Sequence, residues 1–372
     1  MRTRLGAPSA PRKQRQPAKG SAGCQRQSPW LVGLAVAAWA GGVLPSYVAA
    51  QGGAQAPAVP LYPTEQQMKQ SPEAQEHVAK AMAIAKPDLV VQAENACHFM
   101  GPQRPALERQ ASGQQAAARQ RMEPVKLFDN LYYMGYTDIG AWAITTSEGI
   151  ILIDTLNSTQ DAEELMVPDM KKLGLDPSTV KQAIIGHGHF DHFGGASYFQ
   201  AKGVRIALTA TDWNLIERVP PNQTQQQAAR PRPKRDLIIA DGQKVTLGDT
   251  TVTILAQPGH TEGAIAVMFP VKEKGRTYNA LLLSGANQTP NPASLAAFET
   301  ALATARREKA ALLLNGHPGL FGDEIGWMET IRKNPAGPNP FVYGEARFAR
   351  YIDIMTECAR ARIAAMRYKT AP

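Results

Sequence analysis

The string His187-Gly-His-Phe-Asp-His192 follows directly on an apolar run, Val180 to Ile185, and nothing else in this 372-residue chain constrains its fold as strongly. A short apolar run ending at glycine reads as a buried strand. In a layered α/β domain, side chains that bind ligands collect in loops at strand ends. Four groups able to donate a lone pair to a metal, His187, His189, Asp191 and His192, therefore arrive together in one such loop. Gly186 and Gly188 let the backbone turn sharply enough for alternate side chains to face one point. The plainer alternative makes Asp191 an N-cap of the helix that continues through Phe193-Gly-Gly-Ala-Ser-Tyr-Phe-Gln, with incidental histidines. One cap does not call for three histidines.

Two more histidines share this setting. His260, in Pro258-Gly-His-Thr-Glu-Gly, follows the apolar run Thr251 to Leu255, and His317, in Asn315-Gly-His-Pro-Gly, follows Ala311 to Leu314. Five of the seven histidines thus occupy strand-end loops, which ties them to one site. His77 and His98 lie far upstream and read as ordinary surface or satisfied residues.

The periodicity elsewhere gives alternating strands and helices, the pattern of a layered α/β domain. One strand is expected over Val125 to Met134, then a pair over Gly140 to Thr146 and Gly149 to Asp154. A helix over Ala162 to Leu173 leads to the Val180 run. A strand from Val204 to Leu208 and a helix from Thr211 to Glu217 follow. Pro220 to Arg235 has no apolar periodicity and reads as an exposed loop. Strands resume at Asp236 to Ile239, Lys244 to Leu247, Thr251 to Leu255, Ala264 to Phe269 and Ala280 to Leu283. A helix over Pro292 to Lys309, the strand Ala311 to Leu314 and a helix from Ala346 to about Met366 complete the chain. Residues 51 to 124 are rich in Gln, Ala and Pro and carry one helical stretch, Pro72 to Ala85, so they read as an extension.

A net charge of +8 first suggests nucleic acid, but its distribution removes that partner. Seven basic residues and no acidic one precede residue 51, leaving 33 of the 40 basic residues against all 32 acidic ones, a net of +1. The basic start, the apolar run Trp30 to Leu44 and the small residues Val48-Ala49-Ala50 read as an export signal cleaved after Ala50. The alternative is an uncleaved anchor, although an apolar run of about 15 residues is short of the roughly 20 that span a bilayer. Export to the periplasm or beyond, and no stable membrane insertion once the leader is gone, are the expectations. Cys97 and Cys358 then meet an oxidising compartment, either bridged or as two separate buried thiols.

The full motif, His187-x-His189-x-Asp191-His192, His260 in its Pro-Gly-His-Thr turn and His317 before proline, resembles the metallo-β-lactamase superfamily over roughly residues 125 to 330. Its spacing and His-Pro ending are most similar to subclass B3. The resemblance implies a four-layer αββα sandwich over 125–330, set between the signal peptide (1–50) and extension (51–124) read above and a C-terminal helical segment (331–372). It implies two zinc ions per chain, one held by His187, His189 and His260, the other by Asp191, His192 and His317. Asp191 would also orient the attacking water, which paired ions make reactive toward an amide or ester carbonyl in a ring. Asp154, in Leu152-Ile-Asp-Thr, matches the family's buried aspartate that orients the metal loop. On residue pattern alone it is equally a strand-end turn residue.

One departure is informative. Thioesterase, lactonase and phosphodiesterase relatives carry a bridging aspartate after a glycine where this chain has Gly285-Ala286, and Ala286 cannot bind metal. That favours the lactamase-like branch. A small-molecule substrate is expected. For a substrate carboxylate, Asn287, Gln288 or an arginine of the 220–235 loop are candidate partners. Ser284 could help by hydrogen bonding or be a plain strand-end serine. The competing expectations are a periplasmic hydrolase of the same fold acting on a lactone, ester or thioester, and a metal-binding relative without hydrolytic turnover or an iron enzyme doing oxygen or sulfur chemistry on this fold. Oligomeric state carries no signature here.

Overall fold

Alternation along the strands sorts this chain into layers. The computed structural model describes residues 63–97, 120–218, 230–285, 292–319 and 322–369; the expected leader, His98, Ala286, Asn287 and Gln288 lie outside them. One sheet runs β1 (Val125–Phe128), β2 (Leu131–Gly135), β3 (Gly140–Thr146), β4 (Gly149–Ile153), β5 (Val180–Ile184), β6 (Arg205–Thr209), β7 (Leu237–Ile239), in that spatial order. It is antiparallel from β1 to β4 and parallel from β4 to β7. The second sheet holds β8 (Lys244–Leu247), β9 (Thr250–Ala256), β10 (Ile265–Glu273), β11 (Arg276–Leu283) and β12 (Ala310–Asn315), with only the β11–β12 pair parallel.

Successive strand residues point to opposite faces. Trp142, Ile144, Ile151, Ile153 and Ile184 share one apolar cluster with Val252, Ile254 and Leu282 of the second sheet. Their neighbours Ala141, Ala143, Ile150, Leu152 and Ala183 share another with Met170, Phe193, Phe199 and Trp213. The first sheet is therefore buried on both faces, by the second sheet on one and by helices on the other. Helices also cover the second sheet, through Phe298 and Phe348. This is the expected αββα sandwich.

Several expectations needed revision. The single strand Val125 to Met134 is a hairpin, β1 and β2, folded at Asp129 and Asn130. Asn130 explains the break: it donates to the Pro270 carbonyl at 3.1 Å and accepts from the Lys272 amide at 2.8 Å, bonds an unbroken strand could not make. The helix Ala162 to Leu173 is interrupted. A turn of helix, α4 (Thr159–Asp161), passes through a π turn (Ala162–Met166) into α5 (Val167–Lys172). Pro168 has no amide proton for the bond four residues back, and the wider turn absorbs the defect. After β5 come α6 (Phe190–Phe193) and α7 (Ala196–Gln200), and after β6 comes α8 (Ala210–Glu217). Helix α9 (Pro292–Arg307) precedes β12, and α10 (Glu324–Lys333), unanticipated, runs across residue 330.

The long helix α11 (Glu345–Arg367) follows, and the upstream helices α1 (Glu65–Gln70), α2 (Pro72–Ala85) and α3 (Val90–Cys97) pack along it. Met68 and Ala74 meet Ala361, Ala364 and Ala365. Asp88 pairs with Arg347 and Arg350 at 2.7 and 2.8 Å, and His77 with Glu357 at 2.7 Å. Cys97 and Cys358 are bridged, their Cα atoms 4.5 Å apart. No helix among the described residues is long and apolar enough to cross a membrane.

Candidate metal centre

The centre begins where β4 and β5 end side by side. Asp154, with φ +64°, leaves β4 in a left-handed turn that an ordinary residue enters only under strain. That turn sends its carboxylate, fully buried, beneath the next loop. There Oδ1 accepts from the Gly186 amide at 2.7 Å and Oδ2 lies 2.7 Å from His192 Nδ1. A side chain on Gly186 would collide with Ser284, so glycine is required at this crossing. Asp154 is thus both a strand-end turn residue and the clamp of the histidine loop.

Past Gly186, the loop presents His187 and His189 before α6 places Asp191 and His192 on one turn. The β9–β10 connection brings in His260 and the end of β12 brings in His317. Across these elements, His189 Nδ1 stands 3.1 Å from His187 Nε2 and 3.0 Å from His260 Nε2. On the other side, His192 Nε2 and His317 Nε2 are 3.1 Å apart, and Asp191 Oδ2 lies 3.8 and 3.6 Å from them. The structure brings together all six residues that the sequence singled out. Ligand atoms of His187, Asp191 and His192 also fall within 4.8 Å of one another, so the two clusters share a border.

The donor set fits a divalent metal. An Nδ1–H of His192 donates to Asp154, and His317 Nδ1–H donates to the Asp138 carbonyl at 2.6 Å. Each imidazole is thereby fixed in the tautomer that turns its Nε2 lone pair toward the other's. Two such lone pairs 3.1 Å apart repel unless a cation or proton lies between them. Nitrogens on a tetrahedral zinc would be separated by about 3.3 Å, given Zn–N distances of about 2.0 to 2.1 Å. Burial and neighbouring imidazoles push His187 far below the usual histidine range and His260 down to about 3, so both stay neutral and able to bind metal. Burial opposes ionisation of Asp191, yet His192, His317 and His189 together bring its carboxyl down to about 2.

Beside His189 and His260 opens a cleft of about 380 Å³, also lined by Asn214, Leu215, Arg218 and Glu262. Arg218 has no salt-bridge partner among the described residues, and no sequence pattern marked it. Arg230 and Arg232, from the end of the expected exposed loop, stand 5.0 and 5.4 Å over the Phe190 ring. Ser284 is corrected: its hydroxyl is sealed beneath Gly186 and faces no cleft. The glycine that seals it follows β5 of the other sheet, so the contact crosses between the two sheets and no local pattern announces it. Asp212, a fully buried carboxylate under the histidine loops, was also missed.

Residues 139–272 match the family described as the metallo-beta-lactamase superfamily. A hydroxyacylglutathione hydrolase of Cereibacter sphaeroides is 33% identical over 105 residues, 28% of this chain and 35% of that protein. One of Acidiphilium cryptum is 36% identical over 87 residues, 23% of this chain and 29% of its own. The chain spans about a third of the length of these two curated relatives. Among solved structures, BJP-1, a subclass B3 metallo-beta-lactamase of Bradyrhizobium japonicum, is 28% identical with a TM-score of 0.52, covering 63% of this chain and 90% of that one. FEZ-1 of Legionella gormanii, 24% identical with a TM-score of 0.54 over 64% of this chain and 94% of its own, shares the fold. Sequence and fold point the same way: residues 139–272 match the metallo-β-lactamase superfamily, and the fold around them is similar to that of a subclass B3 enzyme.

Proposed function

We propose that the chain is a zinc-dependent hydrolase that opens a β-lactam or similar cyclic amide, using two ions per chain. The observation that carries this is the pair of adjoining clusters, His187/His189/His260 and Asp191/His192/His317, the first of which borders a cleft through His189 and His260. When bound, divalent ions there bring a coordinated water toward neutral pKa and polarise the carbonyl under attack. Asp191, ionised and at the border of the two clusters, accepts a hydrogen bond from the attacking water and orients it. Asp154 and the Asp138 carbonyl keep His192 and His317 from turning during the reaction. Ala286 supplies no ligand, which supports the lactamase-like branch over the thioesterase one.

A single comparison tests this reading: metal analysis of the purified chain, with hydrolysis of a chromogenic cephalosporin beside a lactone and a thioester, before and after chelation. Two zinc equivalents and a chelator-sensitive preference for the cephalosporin are expected. A preference for the thioester would instead favour the hydroxyacylglutathione-hydrolase relatives, and full activity after exhaustive chelation would remove the metal from the mechanism.

Arg218 is proposed to meet the substrate's carboxylate. A charge-assisted hydrogen bond at an exposed position suggests about a tenfold loss in kcat/KM for Arg218→Ala, carried in KM. A neutral lactone should be indifferent to the change; equal losses on both substrates would argue against this contact.

Export is likewise proposed, supported by the charge and apolar pattern of residues 1–50 and by the Cys97–Cys358 bridge. N-terminal sequencing of the protein from its native host should begin at Gln51; a chain still beginning at residue 1 or 2 would contradict cleavage.

A further inference from the structure

Each histidine cluster rests on a different buried aspartate. Asp154 serves the His192 side, as described. Asp212, on the first turn of α8, lies under the other. Its amide is capped by the Thr209 hydroxyl at 3.3 Å, while its side chain turns inward. Oδ2 accepts from the Gly188 amide at 2.7 Å and from the Thr261 hydroxyl at 2.7 Å, and Oδ1 accepts from the Gly263 amide at 3.1 Å. Gly188 separates His187 from His189, and Thr261 follows His260. One carboxylate therefore ties together the two loops that carry all three histidines of that cluster. Thr209 reinforces the tie by donating to the Gly263 carbonyl at 2.9 Å. A side chain on Gly263 would press on Asp212 and Thr209, so the loop can close this tightly only with glycine there.

A carboxylate this buried is costly unless its lone pairs are satisfied, and three donors from two loops satisfy it. Release of any one donor strands part of a buried charge. The loops are consequently held at one separation whether or not an ion is present. We propose that Asp212 is a positioning residue that sets the His187/His189/His260 cluster at metal-binding distance, independently of Asp154 and the second cluster. This rests on the metal-centre reading and extends it to a residue outside the ligand set.

The test uses full-length chain stripped of metal and titrated with Zn²⁺ against a competing chelator. In a His317→Ala background, which leaves the three-histidine cluster intact, Asp212→Asn should weaken Zn²⁺ binding roughly tenfold to a hundredfold. In a His260→Ala background, which leaves the other cluster, the same change should alter affinity less than about threefold, since the two carboxylates share no partner. Thr261→Val removes one donor while keeping shape, and should give a smaller loss, confined to the first background. It carries the test should Asp212→Asn not fold. In the metal-free chain, Asp212→Asn should also speed hydrogen exchange at the Gly188 and Gly263 amides. Equal losses in both backgrounds, or unchanged Zn²⁺ affinity and exchange in either variant, would overturn the assignment. An unaltered chain that takes up no Zn²⁺ would instead overturn the metal-centre reading beneath it.

Discussion

Asp191→Ala should leave the protein folded and lower its zinc content from about two ions per chain to about one, with hydrolysis reduced on the order of a thousandfold or more. The size of the loss comes from removing two contributions at once. Without the carboxylate the proposed second ion keeps only His192 and His317, and the attacking water loses its orienting acceptor. Loss of one preorganised electrostatic partner costs about 10²- to 10³-fold, and the missing ion adds to that. Folding should survive because Asp191 is partly exposed and faces His192 and His317 at 3.8 and 3.6 Å, without bracing a neighbouring loop. Asp154→Ala is the contrast. It strands the Gly186 amide and His192 Nδ1 in a fully buried place, and should unfold at lower temperature. Zinc analysis, circular dichroism and initial rates on the two variants separate these effects. Unchanged zinc and rate in Asp191→Ala would contradict its proposed role.

The second large effect concerns stability. The Cys97–Cys358 bridge closes a loop across 261 positions of sequence, so its loss frees a long stretch of unfolded chain. Native bridges of this kind stabilise by about 2 to 5 kcal/mol. Cys97→Ser should accordingly lower Tm by roughly 5 to 10 °C in non-reducing buffer, given about 2 to 4 °C per kcal/mol for chains of somewhat smaller size. The catalytic rate should change little, since the bridge joins the upstream helices to α11 and not to the histidine loops. Folding should persist, because Asp88 with Arg347 and Arg350, and the alanine contacts of α11, still hold the extension. Calorimetry with and without reductant checks this: in reductant the unaltered chain should melt near the variant, and an equal gap in both buffers would assign the stabilisation elsewhere.

What this sequence determined unaided is whatever neighbours along the chain decide. The apolar run before Gly186 and the donor-rich string after it mark a strand and its loop, because both signals lie within the thirteen residues from Val180 to His192. Pro72 after Ser71 opens a helix, and the structure has it over Pro72–Ala85, with Ser71 accepting from the Ala74 amide. The alternation of strands and helices marks a layered α/β domain, the αββα arrangement being what the resemblance implied, and the six candidate ligands could be named because few residue types bind metal.

Only the tertiary structure decided where side chains meet. His189 finds His260 71 positions away, and His192 finds His317 125 positions away, because strand order sets those loops side by side. The Asp129–Asn130 turn exists because the neighbouring strand offers Asn130 its partners, and Ser284 is sealed because Gly186 crosses it. Asp212 reads as an ordinary first-turn acid of a helix until the fold brings two loops onto it. Local chemistry is written in consecutive residues, whereas a contact between distant ones depends on the path of everything in between.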